Sequence, residues 1–267
     1  MEQYGKYWLK PLLFIWLLLP NFALSDDYDV YLKNLGLVLE DTPRPSVGSI
    51  ASGFGAGSGV VFTAISYSDK DLQTNLDNDD DGSIILGMGF GAAEQSLGIE
   101  AAVGITSVST SYWGDGKFGD EGNFNLKLHK FLPPQLYGNS ASVALGASNL
   151  VGWGGTTEVP TNYYLAYSEQ RFLGDYFQYG LSYTLGYGTA VDSGESEGGI
   201  FGGIGVARSN YSGSLSFIND ELHLSGTWYI PALEGVTLNF TRADAFNANE
   251  TKRNIITLGY SYNFGEL

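Results

Sequence analysis

The sequence predicts an all-β fold, an antiparallel up-and-down barrel of about twelve strands behind a short N-terminal extension. Three observations carry this. After Ser58, apolar and aromatic residues alternate with small polar ones through most of the chain. Several of these runs reach about ten residues, whereas strands of globular proteins average about 5–6. The connectors between runs are long and short by turns. Composition agrees. The 37 glycines and 18 tyrosines suit many strands and turns and do not suit a helical bundle, where glycine is costly. With no cysteine, the fold closes by hydrogen bonding and packing alone. A formal net charge of −16 argues against nucleic acid as a partner, since phosphate binding needs basic surface.

The chain opens with Lys6 and Lys10, then an apolar run from Pro11 to Leu19 that Pro20 and Asn21 break. Ala23-Leu24-Ser25 offers small residues to a signal peptidase, so residues 1–25 are expected to be a cleavable secretory signal. A spanning helix needs about 20 apolar residues, and this run is shorter. Residues 26–57 follow as an extension or plug. Tyr28 to Glu40 has room for a short helix, Thr42-Pro43-Arg44-Pro45 stops it, and Ser52-Gly53-Phe54-Gly55-Ala56-Gly57 reads as a flexible lead-in. Whether this piece hangs below a barrel or folds into its mouth, the sequence leaves open.

Residues 58–267 are expected to form the barrel. The clearest strand is Phe177 to Tyr187. Phe177, Tyr179, Leu181, Tyr183, Leu185 and Tyr187 point one way, and Gln178, Gly180, Ser182, Thr184 and Gly186 the other. Leu222, Leu224, Gly226 and Trp228 alternate with His223, Ser225, Thr227 and Tyr229 in the same manner. Predicted strands lie near 59–68, 83–92, 98–110, 122–132, 141–149, 161–170, 176–187, 199–208, 211–218, 221–230, 236–244 and 254–264. The connector at Asn219-Asp220 is short where the alternation asks for a long one.

A tilted strand crosses a bilayer in about 9–11 residues, which matches these runs and makes the predicted barrel transmembrane. In hydrocarbon every backbone group must be paired within the protein, so the sheet closes and leaves no edge. The apolar rows then face outward. Glycine, serine, threonine and alanine face the lumen, with Glu100, Lys127, His129, Gln178, His223 and Asn239 as the lumen-lining polar residues. A water-soluble barrel or sandwich would invert the two faces.

The final run, Leu258-Gly259-Tyr260-Ser261-Tyr262-Asn263-Phe264, resembles the terminal strand of porin-like outer-membrane β-barrel proteins of Gram-negative type. It departs from that pattern in that Gly265-Glu266-Leu267 follow the aromatic residue. The resemblance covers the architecture from about 58 to 264. It implies an outer-membrane location, recognition by the barrel-assembly machinery, and contact with membrane lipid and lipopolysaccharide.

Asp77-Asn78-Asp79-Asp80-Asp81-Gly82 matches the first half of a calcium loop, with Asp77, Asp79 and Asp81 as candidate ligands for Ca2+ in an external loop. The second half fails, since Met88 stands where the closing glutamate belongs; a plain acidic loop is the other reading. The predicted external loops are acidic as a set, a sign that gathers cations and repels anions. His129 and His223 fall on inward faces of different strands, and no converging constellation of the kind a metal site or a Ser-His hydrolase needs is seen, so no enzyme is expected. Trp113, Trp153, Trp228, Tyr112, Tyr163, Tyr187 and Tyr229 stand near strand ends and suit aromatic girdles, or carbohydrate stacking for Trp113 and Trp153. Gly152-Trp153-Gly154-Gly155 lacks the strand-to-helix setting of a phosphate loop.

The expected function is a passive pore for small solutes with weak cation preference. The alternative is a non-conducting structural or accessory barrel linked to surface-polymer export or adhesion, with residues 26–57 in the lumen.

Overall fold

The computed structural model describes residues 47–69, 81–106, 118–133, 140–173, 179–191, 197–246 and 252–264. The leader, most of the extension, Asp77, Asp79, Phe177 and Gln178 lie outside the described residues. Twelve strands follow in order: β1 (Val60–Ser68), β2 (Asp81–Gly91), β3 (Gly98–Ile105), β4 (Gly122–Phe131), β5 (Ser140–Trp153), β6 (Asn162–Leu173), β7 (Tyr179–Gly188), β8 (Gly199–Arg208), β9 (Tyr211–Ile218), β10 (Glu221–Tyr229), β11 (Val236–Ala243) and β12 (Arg253–Asn263).

Each strand pairs antiparallel with its neighbours in sequence, and β1 pairs with β12 to close the ring. The closing register runs from Val60↔Asn263 to Ser68↔Ile255. No strand edge is left bare, which is the condition for a sheet in hydrocarbon.

The two faces are sorted against the habit of soluble proteins. On β7, Leu185 is 57% and Tyr187 is 53% exposed, while Thr184, next to Leu185, is 6% exposed. Leu145, Leu165, Ile200, Val206, Phe240 and Leu258 are exposed in the same outward rows. The buried interior holds Ser142, Ser168, Ser182, Ser216 and Thr241. Period-two alternation causes this: one set of side chains points out, the other in. Water-soluble monomers rarely expose apolar surface on this scale, so the soluble sandwich is set aside.

β5 departs from its expected bounds. It continues past Asn149 to Trp153 through a bulge of its own: between the pairs Leu126↔Ala147 and Phe124↔Val151, the β5 residues Ser148 to Leu150 stand opposite Asn125 alone. Asn125 Oδ1 accepts the Asn149 amide at 2.9 Å, and Asn149 adopts φ 53°, so the two extra residues are absorbed and pairing resumes. The loop expected at 150–160 shrinks to a short 3-10 turn, Gly154–Thr157, and its flanks. The tight turn at Asn219-Asp220 is present, with Asn219 at φ 51°.

Candidate functional site: the barrel lumen

Residues 47–57 run inside the barrel as an irregular strap. Gly48 donates its amide to Ser214 Oγ at 2.9 Å, and Ser216 Oγ donates to the Gly48 carbonyl at 2.8 Å, which fixes the start on β9. Ile50 and Ala51 pack against Tyr164 and Ala166 of β6 and Phe201 of β8. Gly53 donates its amide to Ser168 Oγ at 2.8 Å on β6, and Ser52 Oγ lies 3.2 Å from the same hydroxyl. Ser168 Oγ is held in turn by Thr184 Oγ1 at 2.6 Å on β7.

The strap then reaches β3 and β4. Ala56 donates its amide to Glu100 Oε2 at 2.7 Å, and Lys127 Nζ donates to the Phe54 carbonyl at 3.2 Å. Glu100 and Lys127 are themselves paired, Nζ to Oε1, at 3.0 Å. The ion pair thus offers its negative end to an N–H and its positive end to a C=O of the strap. The Phe54 ring packs on Phe131 with centroids 5.6 Å apart. Past Gly57 the chain turns at Gly59, whose φ of 81° favours glycine, and Gly59 donates its amide to the Gly89 carbonyl at 3.1 Å.

Glycine makes the fit possible. A Cβ at Gly53 would stand 2.6 Å from the Ser168 amide nitrogen, and one at Gly55 would strike the His129 ring. His129 is fully buried between Gly55 and Gly98, and neither ring nitrogen has a hydrogen-bond partner. Each polar bond to the strap contributes a net of about 0.5–1.5 kcal/mol, against about 1–2 kcal/mol to fix each residue's backbone. The polar contacts alone therefore do not offset the ordering, and the packing of Ile50, Ala51 and Phe54 must contribute.

A cavity of about 350 Å³ lies beside the strap, lined by Phe54, Glu100, Ser168, Gln170, Thr184 and Tyr229 among others. It is large enough to hold water or a small solute. Farther along the wall, Asn239 donates to Thr227 Oγ1 at 2.9 Å and accepts from Thr241 Oγ1 at 2.9 Å, so its amide faces inward. His223 Nε2 lies 3.3 Å from Glu221 Oε2, both buried. The structure therefore brings Glu100, Lys127 and His129 together around the strap, while His223 and Asn239 stand apart on β10 and β11. Asp81 begins β2 opposite Ser68. Among the described residues no group of three or more His, Asp or Glu side chains is arranged to hold a metal ion.

The aromatic residues near strand ends divide. Trp228, Tyr163 and Tyr187 are exposed on the outward face. Tyr229 turns inward and lines the cavity, as its place next to Trp228 on the strand demands. Trp153 is half-buried and donates Nε1–H to the Gly119 carbonyl at 2.9 Å. One cross-strand row joins Leu173, Tyr179, Arg208, Tyr211 and Trp228 at the short-turn ends of β6 to β10.

A polar group that sequence reading passed over sits on the outward face of β6. Glu169 is 1% exposed, and its carboxylate accepts from Arg171 Nε at 2.6 Å, from Tyr167 Oη at 2.7 Å and from Tyr183 Oη. Its signal was a glutamate and an arginine in the row Tyr163, Leu165, Tyr167, Glu169, Arg171, Leu173, where the other members are apolar or aromatic.

No protein-family model matches the sequence, and no curated protein matches it. Among solved structures the chain is similar to an outer membrane channel from Pseudomonas putida F1, at 9% identity and a TM-score of 0.46 over 80% of this chain and 99% of that one. It is similar to the Acinetobacter baumannii outer membrane protein Omp33, at 10% identity and 0.41 over 79% and 100%. A third is Pseudomonas putida OprB in its low-pH structure, at 9% identity and 0.34 over 90% and 98%. At these scores the chain's own residues, and not the neighbours, carry the functional reading.

Proposed function

We propose that this chain is an outer-membrane barrel that forms a passive channel for small solutes, with a weak preference for cations. The carrying observation is the sorting of faces: Leu145, Leu165, Leu185 and Ile200 exposed outside, serine and threonine inside. The outward rows take acyl chains, and the inward rows line an aqueous path beside the strap. The row of Tyr179, Arg208, Tyr211 and Trp228 suits the headgroup level, where amphipathic rings favour one wet edge. The net charge of −16 and the acidic long loops support cation preference, and those loops would meet lipopolysaccharide, bridged by divalent ions such as Ca2+.

Planar-bilayer recording of the refolded protein tests this. The reading expects stepwise conductance and a reversal potential of cationic sign in a salt gradient, weakening as salt screens the loops. Silence at every voltage, persisting when residues 47–57 are deleted, would end the channel reading. That result would favour a non-conducting accessory barrel for surface-polymer export or adhesion, the reading that the occupied lumen supports.

A further inference from the structure

We infer that residues 47–57 are a latched constriction: the strap sets the size limit of the path, and it can leave the wall without unfolding the barrel. This rests on the channel reading and adds to it a determinant of solute size. Two features carry it. First, every strap bond from Gly48 to Ala56 that reaches the wall joins a main-chain group or Ser52 to a wall side chain. None of these bonds belongs to the β-ladder, so the ring of twelve strands stays closed when they break. Second, beyond the anchor of Gly48 on Ser214 and Ser216, the bonds fall into two latches. One is the Ser168 hydroxyl, which receives Gly53 and is braced by Thr184. The other is the Glu100–Lys127 pair, which clamps Phe54 and Ala56 by opposite charges.

The latches differ in chemistry from a packed core. An ion pair offering one charge to N–H and the other to C=O makes charge-assisted hydrogen bonds, which are stronger than neutral ones but exchangeable with water. The seats of the polar bonds are serine, threonine and an ion pair, which water can satisfy once the strap leaves, whereas the contacts of Ile50, Ala51 and Phe54 with Tyr164, Phe201 and Phe131 are the apolar part that holds the strap in place. Release therefore widens an aqueous path.

The chain has no cysteine, so engineered thiols act alone. The hydroxyl oxygens of Ser52 and Ser168 lie 3.2 Å apart, which brings Ser52→Cys/Ser168→Cys within bonding reach. The oxidised pair is the locked form. Glu100→Ala/Lys127→Ala opens one latch from the wall side; Gly53→Val opens the other from the strap side without altering the wall. Folding of each is checked by its heat-modifiable mobility. In bilayers, the released variants are expected to raise unitary conductance about twofold or more and to admit larger polyethylene glycols. Adding the lock to Glu100→Ala/Lys127→Ala returns the small conductance, and reduction with dithiothreitol restores the large one. A conductance-free readout accompanies this: the rate at which maleimide labels Ser52→Cys rises at least several-fold in the released variants. Equal conductance and polymer exclusion in locked and released forms, with the cross-link verified by mass, would overturn the constriction. Unchanged labelling would overturn strap release itself. Faster labelling with no current in any form would leave a movable strap and remove the channel.

Discussion

Arg171 Nε lies 2.6 Å from Glu169 Oε1 on the outward face of β6, so a paired carboxylate and guanidinium stand in a row otherwise given to apolar and aromatic side chains. Tyr167 and Tyr183 close over the carboxylate from β6 and β7, and the Arg171 guanidinium carbon sits 5.8 Å from the Tyr183 ring centroid. Both carboxylate oxygens thus meet donors, one of them charged, which is the condition for keeping a charge out of water.

Arg171→Leu leaves Glu169 with two tyrosine hydroxyls and no counter-charge, and is expected to cost about 3 kcal/mol. Arg171→Leu/Glu169→Leu removes both charges and is expected to recover most of that loss. Urea unfolding of the barrel in vesicles measures both. Equal losses in the single and double variants would contradict the account of the pair.

The two faces of one strand should answer differently to the same substitution. Phe240 is exposed in an outward row of β11, and Asn239 beside it bonds inward to Thr227 and Thr241. Phe240→Arg is expected to cost about 2–4 kcal/mol, as a cation on the lipid face does near the midplane. Asn239→Arg loses only its hydrogen bonds, about 1 kcal/mol, and shifts the reversal potential toward anions. Unfolding and bilayer recording together read this contrast; a larger stability loss at 239 than at 240 would contradict the assignment of faces.

The Glu100–Lys127 pair should also set selectivity. Lys127→Met leaves the Glu100 carboxylate without its 3.0 Å partner, and the cation-to-anion permeability ratio is expected to rise. Glu100→Gln leaves the ammonium alone and is expected to lower the ratio below wild type. Reversal potentials in asymmetric potassium chloride check both, and matching shifts of the same sign would exclude a lumenal role for the pair.

The parts of this architecture legible in the sequence are those governed by period two. Tyr179 to Tyr187 announces an outward and an inward row without knowledge of any partner strand, and length then tells membrane from globular. What escaped depends on partners distant in the chain. The extension of β5 to Trp153 rests on a bulge at Ser148 to Leu150, seated against Asn125 of β4, and on one residue with positive φ. The seat of the strap joins Gly53 to Ser168 and Ala56 to Glu100 by side-chain-to-backbone bonds, which leave no periodic trace. Glu169 was visible as a charge at an outward position of β6, but its meaning required seeing Tyr183 on the next strand.

The most direct test of the central claim, that the outward rows of the closed sheet face acyl chains, is a nitroxide scan along β7. The absence of cysteine makes each introduced label unique. In bilayers, labels at Leu181, Tyr183, Leu185 and Tyr187 are expected to collide with oxygen and to be shielded from an aqueous nickel complex, and labels at Ser182 and Thr184 to show the reverse. The opposite phase, or no alternation at all, would contradict a barrel that turns its leucines to lipid and its hydroxyls to the lumen.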